Sequence, residues 1–84
     1  MILPDVNVLV YAYREDAPKH ERYRSWLEGV LRGSEAYGLA DLVLAGFLRV
    51  VTHPRVFSPP SPIAHALEFA EALRSHGNCV HLDP

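Results

Sequence analysis

Three short apolar segments alternate with longer helical stretches, and this alternation restricts the fold more than any other feature of the chain. The segments predict strands over residues 1–5, 35–39 and 79–82. Two predicted helices lie between consecutive strands, so the order is β-α-α-β-α-α-β. Strands that are joined through helices pair in parallel, because only a crossover returns the chain to the same end of the sheet. The sequence therefore predicts an α/β fold with a parallel sheet flanked by helices.

Residues 6–13 are compatible with two kinds of secondary structure. The β-branched residues of this run favour a strand, whereas Asp5 and Asn7 are residue types that commonly begin a helix. Periodicity does not separate strand from helix in so short an apolar run. We predict a brief strand that ends near Asp5 and a buried helix from there to about Tyr13.

Helical periodicity is stronger after Pro18. One apolar stripe predicts an amphipathic helix that ends at Gly33, and its members are Tyr23, Trp26, Leu27, Val30 and Leu31. We assign Trp26 and the tyrosines to the core in preference to a base-stacking role. His20 lies on the same face and is interpreted as a packing or hydrogen-bonding residue rather than a metal ligand.

Two further helices are predicted in the second half of the chain. Residues 42–52 are apolar nearly all round, which predicts a helix that is buried on most sides. Ser61 and Pro62 have the residue types of an N-cap and of the first helical position. A second apolar stripe follows them and ends at Gly77.

Composition excludes several classes of protein. The chain has 84 residues, a formal net charge of −2 and one cysteine, Cys79, which excludes an internal disulfide. The longest uncharged apolar run, residues 42–48, is far shorter than the roughly 20 residues that span a bilayer. No basic leader precedes Asp5, so we expect a cytoplasmic protein with no membrane partner. The slight negative charge disfavours a general nucleic-acid coat, but it is compatible with an enzyme that holds RNA through a metal ion.

Two carboxylates follow predicted strands. Asp5 comes after the first strand and Asp41 after the second, and ligands of parallel sheets gather beyond the carboxyl ends of the strands. Two carboxylates that meet there could bind a divalent cation, which would activate water and screen a phosphodiester. The alternative is that both residues are helix N-caps, a role that Asp often fills.

An ordered set of short motifs runs along the whole chain. Asp5-Val-Asn7 follows the first apolar segment, Pro18-x-His20 and Trp26-Leu27 come next, and the run LVLAGFLRVVTHPRVF then precedes Ser61-Pro62. With these intervals the chain resembles PIN domains, and specifically the VapC toxins of toxin–antitoxin pairs. We therefore treat residues 1–84 as a single, partial PIN-like domain.

The resemblance implies a function and a set of site residues. VapC toxins of this kind are metal-dependent endoribonucleases, so Asp5 is expected to be a catalytic metal ligand and Asn7 to line the same site. The expected cofactor is Mg²⁺, or Mn²⁺ in its place. A VapB-type antitoxin and an RNA substrate are the expected partners, and family members commonly pair as homodimers.

Two departures from the family pattern bear on activity. The family often carries a Glu inside the third helix, and that position is Gly46 here. Asp41 is a candidate second acid, but five residues of helix separate it from Gly46 by about 140° of rotation, so it cannot take the same place. PIN domains usually continue into a C-terminal half that supplies two more acids, and Asp83 is not assigned to either of them. An inactive module that binds an antitoxin or another toxin chain is therefore the alternative function.

Overall fold

A computed structural model describes residues 1–82, which form four helices and two paired strands. The elements in chain order are α1 (Val6–Tyr13), α2 (His20–Arg32), β1 (Tyr37–Ala40), α3 (Asp41–Val51), α4 (Ile63–Ser75) and β2 (Cys79–Leu82). The strands β1 and β2 pair in parallel, with Tyr37 opposite Cys79 and Ala40 opposite Leu82. The predicted α/β class and parallel pairing are confirmed.

The first predicted strand is reduced to a single bridge between Ile2 and Tyr37. The Ile2 N–H donates to the Ala36 carbonyl at 3.0 Å, and the Gly38 N–H donates to the Ile2 carbonyl at 2.8 Å. In a parallel ladder the next donor from this segment would be residue 4, which is a proline without an N–H. The pairing stops there, so the prediction of a full strand was wrong although its position beside β1 was right.

Residues 6–13 form a helix, α1, rather than an extension of the strand. Its apolar side chains Leu9, Val10 and Ala12 are buried, and α1 packs against both α2 and α3. This burial offsets the weak helix propensity of the β-branched residues. The predicted end of the helix at Tyr13 is confirmed.

The core lies between the sheet and the four helices. Its largest fully buried side chains are Tyr37, Phe47, Leu9 and Val51. The rings of Tyr13, Phe47 and Phe69 contact one another with centroid separations between 4.8 and 5.4 Å, which ties α1, α3 and α4 together. Aromatic contacts of this geometry add to the free energy gained from burial.

Helix α3 is less buried than its composition predicts. Phe47 and Val51 have no exposed surface, but the side chain of Leu42 is 84% exposed, and Ala45 and Arg49 are also exposed. The neighbouring elements therefore cover only one side of the helix.

Within the part of the chain that the structure describes, no helix has both the length and the apolar character needed to cross a membrane.

The start of α4 also differs from the prediction. The N-cap of α4 is Pro62, without a side-chain hydrogen bond, and Ser61 does not cap the helix. The Ser61 hydroxyl instead accepts a hydrogen bond from Nη1 of Arg14 at 3.0 Å. The same guanidinium lies 4.2 Å from the ring centre of Phe57 and pairs with Asp16. A contact across 47 residues has thus replaced the local cap.

Candidate functional site

The candidate site lies at the carboxyl edge of the sheet, where α1 and α3 begin. Ile2 is level with Tyr37 in the parallel register. Asp5 follows Ile2 by three residues and Asp41 follows Tyr37 by four. Because neighbouring strands lie about 4.8 Å apart, the two segments bring both acids to the same edge. The expectation that Asp5 and Asp41 follow adjacent strands at one edge agrees with this arrangement.

Asp5 is the N-cap residue of α1. Its backbone is extended, with φ −93° and ψ 176°, and its Oδ1 accepts a hydrogen bond from the Val8 N–H at 3.0 Å. The residue is exposed, and within residues 1–82 its carboxylate has no other hydrogen-bond donor and no ion pair. An ionised carboxylate has about four lone-pair sites, so the cap leaves Oδ2 available. The cap and a metal-binding role are therefore compatible in one side chain.

Asn7 and Asp41 are exposed at the first turns of their helices. Asn7 belongs to the first turn of α1, and Asp41 is the first residue of α3 rather than its N-cap, which is Ala40. The Asp41 side chain borders a shallow cavity between α3 and α4 that Glu71 and Arg74 also line. The interpretation of Asp41 as an N-cap was therefore wrong by one residue. A carboxylate in the first turn is still favoured by the helix dipole.

The acidic residues do not form a complete cage for a metal ion. No group of three or more His, Cys, Asp or Glu side chains that could hold an ion occurs between residues 1 and 82. Mg²⁺ is usually held by one or two carboxylates, with water and substrate phosphates as its other ligands. Asp5 and Asp41 have the carboxylate oxygens that such a minimal donor set requires. Asp83 lies outside the described residues.

Gly46 occupies the helix position where the family resemblance leads one to expect a Glu. The residue is buried, and a Cβ added to it would lie 3.0 Å from Cγ2 of Val6. Val6 follows Asp5 directly, so α3 meets the beginning of α1 at this point. A side chain at position 46 would therefore require the Val6 side chain to shift by a few tenths of an ångström.

Trp26 is not a core residue, contrary to the prediction. It lies at the border of the apolar stripe of α2, and its side chain is 41% exposed. Together with Val8, Arg22 and Tyr23 it lines a cavity of about 190 Å³. Helical spacing placed Trp26 on the buried side of the helix, and the apolar pattern alone does not say where the stripe ends.

The surroundings of three titratable side chains, His20, Tyr37 and Cys79, indicate structural rather than catalytic roles. Nδ1 of His20 lies 2.9 Å from the Tyr11 carbonyl oxygen, so the predicted packing and hydrogen-bonding role is confirmed. Burial raises the pKa of Tyr37 to about 12, and its hydroxyl donates to the Leu73 carbonyl at 2.6 Å. Burial also raises the pKa of the Cys79 thiol, which disfavours the reactive thiolate.

Parallel strands with flanking helices, and two acidic residues at the carboxyl edge of the sheet, define the chain as an α/β domain. The chain belongs to the PIN domain family, whose model matches residues 2–84. Over all 84 residues it is 45% identical to Ribonuclease VapC43 and 39% identical to Ribonuclease VapC25, both of Mycobacterium tuberculosis. It is also 38% identical to Ribonuclease VapC31 of the same organism. The chain spans 57% of the length of VapC43 and 59% of the length of the other two.

Proposed function

We propose that this chain is the toxin of a toxin–antitoxin pair and acts as a divalent-metal-dependent endoribonuclease in the cytoplasm. The observation that carries the proposal is the exposed Asp5 carboxylate at the carboxyl edge of the sheet, with one oxygen in the helix cap and one available. Its support is the match to the PIN family along residues 2–84 and the identity to chains named VapC ribonucleases. The proposed partners are a VapB-type antitoxin, an RNA substrate and a second copy of the chain.

The site residues have distinct roles in this proposal. Asp5 holds Mg²⁺ or Mn²⁺, Asn7 lines the site, and Asp41 is the second acid. A bound divalent cation supplies positive charge to a backbone phosphate and lowers the pKa of the attacking water. The cap from Val8 keeps the Asp5 carboxylate in a fixed orientation, and the positive ends of α1 and α3 favour negative charge at the same edge.

The test is cleavage of single-stranded RNA by the purified chain and by its Asp5→Asn variant, each with Mg²⁺ and with chelator. Asn caps helices as well as Asp does, so the variant keeps the fold and loses the charge. Loss of a residue that merely orients a metal ligand costs about 10–100-fold, so loss of the ligand should cost at least as much. The matched control is Glu68→Gln, an exposed acid on α4 that makes no ion pair within residues 1–82. Unchanged, chelator-resistant cleavage by Asp5→Asn would refute the mechanism.

A second candidate function is a binding module without catalysis. It is favoured by the lack of a third acid beside Asp5 and Asp41 within residues 1–82. A metal ion bound at such a sparse site would be held weakly. A folded wild-type chain that binds a VapB-type antitoxin, cleaves no RNA and shows no Mg²⁺ binding up to millimolar concentration would select this function.

A further inference from the structure

The cavity between α1 and α2 adjoins the candidate site. Val8 lines this cavity, and the N–H of the same residue donates to Asp5 Oδ1. The cavity and the Asp5 carboxylate therefore share Val8 as a neighbouring residue. Its volume of about 190 Å³ is below the roughly 300–1,000 Å³ of typical small-molecule pockets. A space of this size suits a single group rather than a whole small-molecule ligand.

Trp26 presents a free aromatic ring at this cavity. Tyr23, the other aromatic residue of the wall, is held against Tyr11 with 5.3 Å between ring centres. Trp26 makes no comparable aromatic contact within residues 1–82. One turn further along α2, a Cβ added to Gly29 would meet nothing within 4 Å, so the surface beside the ring is open. The cavity therefore combines a fixed wall with an accessible indole.

Arg22 adds uncompensated positive charge to the same cavity. The two other arginines of the exposed side of α2, Arg24 and Arg32, both pair with Glu28. Arg22 has no carboxylate partner within the described part of the chain, and it lines the cavity with Trp26. An aromatic face beside an available guanidinium is the combination with which proteins bind single-stranded nucleic acid, through base stacking and phosphate contact.

We propose that Trp26 stacks on a base of single-stranded RNA while Arg22 contacts a phosphate beside that base, so that an adjoining phosphodiester lies at Asp5. Trp26 is then a substrate-binding residue that selects unpaired RNA, because a base inside a duplex offers no free face. This inference rests on the proposed ribonuclease function and extends it to the choice of substrate.

The test uses the fact that Trp26 is the only tryptophan of the chain. The Asp5→Asn variant is titrated with single-stranded RNA in chelator, so that binding is measured without cleavage, and indole fluorescence is recorded. Stacking should quench the emission, whereas an abasic strand of equal length should leave it nearly unchanged. An equal change in emission with single-stranded RNA and with the abasic strand would show that binding occurs through the backbone alone, and that result would overturn the proposal.

Affinity of labelled RNA, measured by anisotropy, gives the second readout. Trp26→Ala should weaken binding about 5- to 150-fold, the range found for loss of one base–aromatic stack, and Trp26→Phe should retain most of the affinity. Arg22→Gln should reduce the slope of log K against log salt by about 0.7, the value for one phosphate contact on a single strand. Ile63→Ala removes an exposed apolar side chain from α4 and is the matched control.

The outcomes separate this inference from the proposed function. Quenching by RNA together with the loss in Trp26→Ala supports the inference even if the wild-type chain cleaves nothing, a result that would refute only the nuclease. Cleavage that depends on Asp5 but is accompanied by no quenching and by unchanged affinity in Trp26→Ala would overturn the inference alone. Emission that responds to a protein partner and not to RNA would assign the ring to a protein interface and would likewise overturn it.

Discussion

Asp5 has two roles in the proposed site, and two substitutions separate them. Asp5→Ala removes both the cap of α1 and the proposed metal ligand, whereas Asp5→Asn removes only the ligand charge. The cap is a single hydrogen bond of 3.0 Å to the Val8 N–H at the start of an eight-residue helix. Replacement of such a cap by Ala costs about 0.5–2 kcal/mol, typically near 1. Asn keeps the cap, so its cost is limited to the exposed dipole interaction, about 0.5 kcal/mol.

The assay combines denaturation with cleavage. In a domain of this size about 1 kcal/mol corresponds to roughly 4–8 °C in Tm, so Asp5→Ala should melt lower than the wild type by about that interval. Asp5→Asn should melt within a few degrees of the wild type, yet both variants should lose metal-dependent cleavage. Equal destabilisation by the two substitutions would show that charge, rather than the cap, stabilises α1. Full cleavage by Asp5→Asn would refute the ligand role.

Two further predictions concern residues that position the site. Tyr37→Phe leaves a buried carbonyl without its donor and should cost about 1–3 kcal/mol at neutral pH. Because the pKa of Tyr37 is raised to about 12, the contribution of its hydroxyl to the free energy of unfolding is complete below pH 10 and declines as pH rises towards 12. The urea midpoints of the wild type and of Tyr37→Phe should therefore converge near pH 12, and a constant difference between them would contradict this. Gly46→Ala should gain less than the roughly 0.5–1 kcal/mol that Ala usually gains over Gly inside a helix, because the added Cβ lies 3.0 Å from Cγ2 of Val6. In a Val6→Ala background the same substitution should raise the Tm by more, and equal shifts in the two backgrounds would contradict the contact.

Local sequence patterns predicted most of the secondary structure. The predicted helix α2 and its end at Gly33 were correct, as were α4 and the strand at Cys79–Leu82. The apolar periodicity of these segments and the glycine and proline residues at their ends define them locally, so distant contacts changed their bounds by only a few residues. The early end of the first strand could also have been predicted from the sequence, because Pro4 has no N–H to donate to a neighbouring strand.

The errors arise where the outcome depends on distant residues. Ser61 has the residue type of an N-cap, but its hydroxyl instead accepts a hydrogen bond from the guanidinium of Arg14, 47 residues away in the chain. The exposed side of α3 carries Leu42 and Ala45 as well as Asp41 and Arg49, so composition alone does not indicate how much of the helix is covered. Trp26 has the correct helical spacing for the core, and its exposure follows from how α2 lies against α1. Periodicity shows that a face is apolar, whereas packing decides how much of that face is covered.

A helix cap and a metal ligand are alternative interpretations of Asp5 from the sequence, and the geometry makes the two roles compatible. Capping requires an acceptor at the point where a strand gives way to a helix, and Pro4 helps to end the strand there. The same point is the carboxyl edge of the sheet, where the positive end of the helix favours anionic groups. One carboxylate oxygen satisfies the Val8 N–H, and this bond fixes the direction of the other. A stable cap is therefore a reason to expect a well-oriented ligand at this position, rather than evidence against one.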